Sequence, residues 1–262
     1  VLSGSFADVM CSGSADLLQL LRGKVNAASP GQLQLSDYPH LQAQLAIALP
    51  YLQQASAKRQ RGVNLYIHGM PGTGKSELAR TLARHLGCEL FEVASEDEDG
   101  DPISAVNRLR AFRAAQSFLA QRKALLLFDE VEDVFPGPTR ELMSLFGHEE
   151  PRGSVNGKAW VNQTLEQNPV PVIWTTNSVA AMDAACIRRF KWVQQFENPN
   201  PETRIRLFTK AVRGLGITQN QIAQWAELSW LSLADIQQVA GLMHELGEIG
   251  RASCRERVSS PV

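Results

Sequence analysis

The string Gly69-Met70-Pro71-Gly72-Thr73-Gly74-Lys75-Ser76 has the spacing G-x-x-x-x-G-K-[ST]. Glycines at these positions let successive backbone N–H groups curl around an anionic phosphate chain. Lys75 then reaches the β- and γ-phosphates, and Ser76 offers a hydroxyl to Mg²⁺. The helical pattern that starts at Glu77 adds the positive end of a helix. The nucleotide-binding set read from this stretch is Gly69, Met70, Pro71, Gly72, Thr73, Gly74, Lys75, Ser76 and Glu77. A second signal is Leu125-Leu126-Leu127-Phe128-Asp129-Glu130. A carboxylate at the end of a buried strand is costly unless a cation meets it, which suits Asp129 to the Mg²⁺ shell beside Ser76. Glu130, one residue on, is the candidate to polarise an attacking water. Asn177 closes the apolar run Val172-Ile173-Trp174-Thr175-Thr176 and is the candidate to orient that water. Taken alone, Asn177 reads equally as the cap of a turn. Arg188 and Arg189, ahead of Phe190, read either as surface ion-pair formers or as arginine fingers that neutralise charge on the transferred phosphoryl group.

Five short apolar runs would position these residues: Val63–His68, Glu89–Val93, Ala124–Phe128, Val170–Thr176 and Trp192–Phe196. Helical patterns separate them, clearest in Glu77–Leu86 and Val106–Ala120. Strands as continuously apolar as Ala124–Phe128 are covered on both faces. Strands alternating with helices imply an α/β fold with a parallel sheet. Upstream, Leu41, Leu45, Ile47, Leu49 and Leu52 recur at helical spacing, with Pro50 expected to interrupt the helix. After Asn198-Pro199-Asn200-Pro201 the pattern is all helical. Asn200, Thr218 and Ser232 stand as N-caps, the first with Pro201 at the opening helical position. The expected organisation is a linker or upstream segment over 1–33, an α/β unit over 34–198, a small helical unit over 199–247, and a tail over 248–262.

Composition is that of a soluble globular protein, with 44% hydrophobic and 20% charged residues. A net charge of −1 draws the chain neither to nucleic acid nor to an anionic membrane, so nucleic acid and membrane are not expected partners. The one basic concentration, Lys58, Arg59 and Arg61, reads as a solvated helix end. Cys11, Cys88, Cys186 and Cys254 show no paired spacing, which fits neither a zinc site nor a disulfide framework and points to a cytoplasmic setting. No apolar run is long enough to span a bilayer. Beginning at Val1, the chain reads as part of a longer protein. From about Glu248 the sequence resembles the translation of a sequencing-adapter oligonucleotide and is read as an artefactual tail.

The order of these parts, from the phosphate loop through Asp129-Glu130 and Asn177 to Asp183-x-x-x-x-Arg188-Arg189-Phe190, resembles the AAA family of ATPases from about Leu35 to Glu248. Asp183 to Phe190 is similar to that family's second region of homology. The two arginines resemble the pair of the microtubule-severing members, and Ser232-Leu233-Ala234-Asp235 resembles the start of the last lid helix. The resemblance implies a three-layer P-loop α/β/α fold with a five-stranded parallel sheet and a helical lid, here truncated. It further implies ATP and Mg²⁺ as ligands, ATP hydrolysis, and assembly into a ring, usually a hexamer. In such a ring Arg188 and Arg189 would act on the neighbour's ATP. The module is therefore expected to remodel an unidentified protein substrate. Two alternatives stand beside this: a nucleotide-gated scaffold with little turnover, and a clamp-loader or initiator type of nucleic-acid module. The stretch Ser95-Glu96-Asp97-Glu98-Asp99-Gly100-Asp101 departs from the family pattern, which carries an aromatic residue there. Threading of a polypeptide by aromatic grip is not implied.

Overall fold

The fold is seen in a computed structural model, which describes residues 23–134, 163–178 and 184–245. Asp183, Cys11, Cys254 and the adapter-like tail lie outside the described residues. A six-stranded sheet is built from β1 (Val25–Ala27), β2 (Asn64–Gly69), β3 (Glu89–Val93), β4 (Ala124–Phe128), β5 (Val172–Thr176) and β6 (Trp192–Phe196), in the order β1-β3-β4-β5-β2-β6. The five strands β3-β4-β5-β2-β6 are parallel, as expected. The expectation of a five-stranded sheet is corrected by β1, which pairs antiparallel with β3, Val25 opposite Val93. Val25–Ala27, read as part of a linker, is thus part of the sheet. The physical reason is that Val25 buries against Phe91 and Val93, so the edge of β3 is covered rather than left open.

Alternation along the central strands divides the core in two. Leu65, Ile67, Leu125, Leu127 and Ile173 face one layer, formed by α1 (Gln42–Ala57) and α2 (Lys75–Leu86). Tyr66, Leu126, Phe128 and Trp174 face the other, where α3 (Ala105–Leu119) presents Phe112, Ala115 and Leu119. Every residue of β4 and β5 is buried, because helices cover both faces. The helix α1 runs through Pro50, contrary to the expected interruption. Leu45, Ala48, Leu52 and Ala55 bury one stripe of α1, while Pro50 and Ala46 lie on the exposed side. There the carbonyl freed by the missing proline N–H is open to water, and burial outweighs the local penalty.

A short helix, α4 (Ala184–Ile187), precedes β6, and the chain then enters a helical unit. This comprises α5 (Pro201–Ala211), α6 (Gln219–Glu227) and α7 (residues 233–245). Each start is capped as its sequence predicts. Asn200 Oδ1 accepts from the Thr203 N–H (2.9 Å), and Thr218 forms a capping box with Gln221. Ser232 and Asp235 exchange bonds at α7, with Ser232 N to Asp235 Oδ2 at 2.7 Å and Asp235 N to Ser232 Oγ at 3.2 Å. The unit has its own core of Phe208, Val212, Ile222, Leu231, Ile236 and Met243. Lys210 pairs with the buried Asp37 (2.5 Å) and Arg206 donates to the Ser36 carbonyl (3.1 Å), tying this unit to the segment ahead of α1.

Beneath the sheet a buried amide network fastens the chain ahead of β5. Asn64 Nδ2 donates to the Leu165 carbonyl (2.6 Å) and to Asn168 Oδ1 (2.9 Å), while Trp174 Nε1 donates to Asn64 Oδ1 (3.0 Å). Asn168 in turn donates to the carbonyls of Val63 (3.2 Å) and Val170 (2.8 Å). Asn168, which suggests no chemistry in the sequence, is therefore a structural strut. Asn64→Ala would strand the indole N–H and a carbonyl in the core. We expect a loss of about 2–4 kcal/mol in urea unfolding; a change below about 1 kcal/mol would show that the network contributes little.

Candidate active site

The C-terminal ends of β2, β4 and β5 lie side by side, and the candidate residues project from them. After β2 the loop turns on glycines that no other residue can replace without displacement. A Cβ on Gly69 (φ +154°) would lie 2.0 Å from the Phe196 carbonyl oxygen, and one on Gly72 (φ +71°) would lie 2.4 Å from Ser232 Oγ. Thr73 Oγ1 donates to the Met70 carbonyl (2.8 Å), closing the loop on itself. Lys75, Ser76 and Glu77 form the first turn of α2, whose leading N–H groups have no partner within the helix. They present a positive, concave backbone surface, and this cradle fits a phosphate chain.

Lys75 is buried, with its ammonium donating to the carbonyls of Gly69 (3.0 Å) and Met70 (2.8 Å) and to Asn177 Oδ1 (2.9 Å). Burial lowers its pKa, and the carboxylates of Asp129, Glu132 and Glu130 oppose that shift. Ser76 Oγ donates to Asp129 Oδ2 (2.5 Å), and Thr175 Oγ1 donates to the other oxygen of the same carboxylate. A hydroxyl and a carboxylate, both hard oxygen donors, thus meet beside the phosphate cradle, a set that fits Mg²⁺. The structure therefore joins Lys75, Ser76, Asp129 and Asn177 in one cluster, with Glu130 adjoining.

Glu130 adopts φ +52°, a left-handed conformation that costs about 1–2 kcal/mol for a residue with a side chain. Its N–H donates to Asp129 Oδ1 (3.1 Å). From α3, the guanidinium of Arg108 donates to the carbonyls of Asp129 (2.5 Å) and Glu130 (3.0 Å) and lies over the Phe128 ring at 4.6 Å. Glu132 Oε1 accepts from Thr176 Oγ1 (2.7 Å) and from the Asn177 N–H, holding the end of β5 to the turn after β4. An apolar strand followed by acids points to Asp129 and Glu130; the continuing run Asp129-Glu130-Val131-Glu132 is the signal for Glu132. Arg108 carried no such signal, since an arginine in a helical stretch ordinarily faces water.

Glu77 stands in the first turn of α2, directly after the loop. Its carboxylate accepts from the backbone amides of Gln32 and Leu33 (2.9 Å for the latter), so only its backbone N–H is left to the loop. Arg188 and Arg189 are not joined to the cluster. Arg188 is exposed, and Arg189 Nε donates to Glu166 Oε1 (2.8 Å). Phe190 beside them is buried against Tyr66, ring centroids 5.1 Å apart, which anchors the stretch to the sheet.

The model of the ATPase family associated with various cellular activities (AAA) matches residues 65–198, the span from the second residue of β2 through β6, with the whole cluster inside it. The chain belongs to the AAA family. Among curated relatives it is 27% identical over 240 residues to the 26S proteasome regulatory subunit 8 homolog B of Arabidopsis thaliana, covering 84% of this chain and 49% of that protein. The ATPase family gene 2 protein homolog B of Bos taurus is 29% identical over 176 residues, covering 64% of this chain and 20% of that protein. The chain thus spans about half or less of the length of these relatives. The solved FIGL-1 AAA domain in complex with ADP covers all of this chain and 94% of its own, with a TM-score of 0.59 at 17% identity. A chain of the E. coli MS115-1 HORMA:CdnC:Trip13 complex covers 87% of this chain and 91% of its own, with a TM-score of 0.57 at 18% identity. At such identities these structures establish the AAA fold.

His68, the last side chain of β2 before the loop, couples this AAA domain's stability to pH. It is buried beside Tyr66, its Nδ1 has no hydrogen-bond partner among the described residues, and its pKa is lowered by burial and then by the Lys75 charge. A histidine whose folded pKa lies below its unfolded value near 6.5 contributes full stability above that value. That contribution is lost as pH falls from about 6.5 through the folded value. His40 is shifted in the same direction, also by burial. Urea unfolding should therefore show stability declining from about pH 7.5 to about pH 5.5, with a shallower decline in His68→Gln. An unchanged slope in that variant would remove His68 as a contributor.

Proposed function

We propose that this chain binds ATP with Mg²⁺ and hydrolyses it to ADP and phosphate. We further propose that it does so as one subunit of a ring, a hexamer in keeping with the family resemblance, that remodels a protein substrate in the cytoplasm. The observation that carries the reading is the meeting of Lys75, Ser76, Asp129 and Asn177 at the ends of three adjacent parallel strands, Lys75 bonded to Asn177 (2.9 Å) and Ser76 to Asp129 (2.5 Å). The ADP in the FIGL-1 AAA domain supports a nucleotide as the ligand of this fold.

The loop's N–H groups and Lys75 hold the phosphate chain and offset its charge. Ser76 Oγ and the Asp129 carboxylate would hold Mg²⁺, which would supply further charge neutralisation at the phosphates. Glu130 accepts a proton from the attacking water, while Asn177, with its amide oxygen on Lys75 and its backbone on Glu132, orients that water. Arg188 is exposed and Arg189 pairs with Glu166, which supports a role at a neighbouring subunit's site. A net charge of −1 argues against nucleic acid as the substrate.

Phosphate release and ATP binding by isothermal titration separate these roles. Lys75→Ala should abolish binding, whereas Glu130→Gln should bind ATP and turn over about 10²–10⁴-fold more slowly. Equal Mg²⁺-dependent turnover in Glu130→Gln and the parent chain would remove Glu130 from the chemistry. Arg188→Ala should keep ATP binding and lose about 10³-fold or more in rate. Mixing inactive Arg188→Ala with inactive Lys75→Ala should restore activity, because some interfaces then combine an intact site with an intact arginine; a mixture that stays inactive contradicts action between subunits.

A further inference from the structure

We infer that Arg108 is a positioning residue for Glu130, fixing the backbone from which that carboxylate is aimed. The inference rests on the hydrolysis reading above. The direction of the Glu130 side chain follows from its own φ and ψ, which are set by the peptide planes on either side of its Cα. The Asp129 carbonyl belongs to the first plane and the Glu130 carbonyl to the second. Arg108 holds both, Nη2 to the Asp129 oxygen at 2.5 Å and Nη1 to the Glu130 oxygen at 3.0 Å. One rigid, planar group therefore spans the residue and fixes both of its dihedral angles. The first plane is also held at its opposite edge, where the Glu130 N–H donates to Asp129 Oδ1 (3.1 Å). The left-handed φ of +52° is thus restrained from two sides rather than left to local preference.

The clamp is itself firmly seated. Arg108 is only 3% exposed, its guanidinium rests on Phe128 at 4.6 Å, and its backbone N–H bonds the Ser104 carbonyl (2.9 Å) in the first turn of α3. The two carbonyls it holds both belong to the turn that carries the acid, so the clamp acts on the placement of Glu130. A lysine at 108 keeps the charge but, as a single flexible ammonium, cannot hold two planes in a fixed relation.

Arg108→Lys and Arg108→Met are to be made in the 262-residue chain, each alone and combined with Glu130→Gln. Each single variant should lower kcat about 10- to 100-fold, the scale of a misplaced catalytic group, with the Kd for ATP within about twofold of the parent. In the Glu130→Gln background the same changes should cost no more than about twofold, because their effect passes through a carboxylate already removed. A full kcat in Arg108→Lys, losses that multiply in the combined variants, or a parallel loss of ATP affinity would each overturn the inference. Amide hydrogen exchange over residues 128–134, without nucleotide, gives an independent reading. It should rise in both variants while exchange over the phosphate loop holds, and unchanged exchange over 128–134 overturns the clamp. A parent chain that binds ATP but releases no phosphate would instead remove the hydrolysis reading, with the exchange result still deciding the clamp.

Discussion

A buried ammonium sets the terms on which this site is built. Lys75 gives up water for two loop carbonyls and the Asn177 amide oxygen, with the carboxylates of Asp129, Glu130 and Glu132 close enough to favour its charge. Those partners come from the ends of three strands, so the charge is stable only if β2, β4 and β5 finish at the same level. The parallel registers supply that alignment, with Phe128 opposite Trp174 and His68 opposite Thr176. Above these pairs the chain leaves the sheet, and the cluster forms where it leaves.

The core supports this arrangement in two ways. Phe112, Phe128 and Trp174 pack as one aromatic group, with Phe128 and Trp174 stacked at 5.0 Å, so β4 and β5 cannot slide past one another without breaking ring contacts. Asn64 meanwhile links β2 to Trp174 of β5 and to the segment ahead of it. Apolar contact gives the sheet its stability, and the few buried amides select its register.

Much of this was legible in the sequence, for physical reasons. Strands covered on both faces must be apolar without interruption, so β2 to β6 stood out as runs. The glycine loop was legible because its geometry excludes Cβ atoms, and the caps at Asn200, Thr218 and Ser232 because few residue types can satisfy free helix N–H groups. What escaped depended on contact between distant segments. The strand β1 is three residues long and exists because β3 has an edge to cover. Pro50 breaks a helix only where burial does not compensate. Arg108 is ordinary on α3 until the fold brings the turn after β4 beneath it, and the Glu77 carboxylate was committed to Gln32 and Leu33 by a chain crossing that no local pattern records.

The contact between Gly72 and Ser232 has a consequence for how the two halves of the molecule communicate. Ser232 caps α7, and it touches the loop where a glycine has left room for it. The outer surface of the loop and the tip of the helical unit therefore act as a gauge and its stop, set to the thickness of a bare backbone. A single added methyl at position 72 would overlap Ser232, so the cap of α7 sits against bare backbone. Because that helix packs with Phe208 through Ile236 and Met243, a side chain at position 72 would press on a whole packed unit rather than on a single residue.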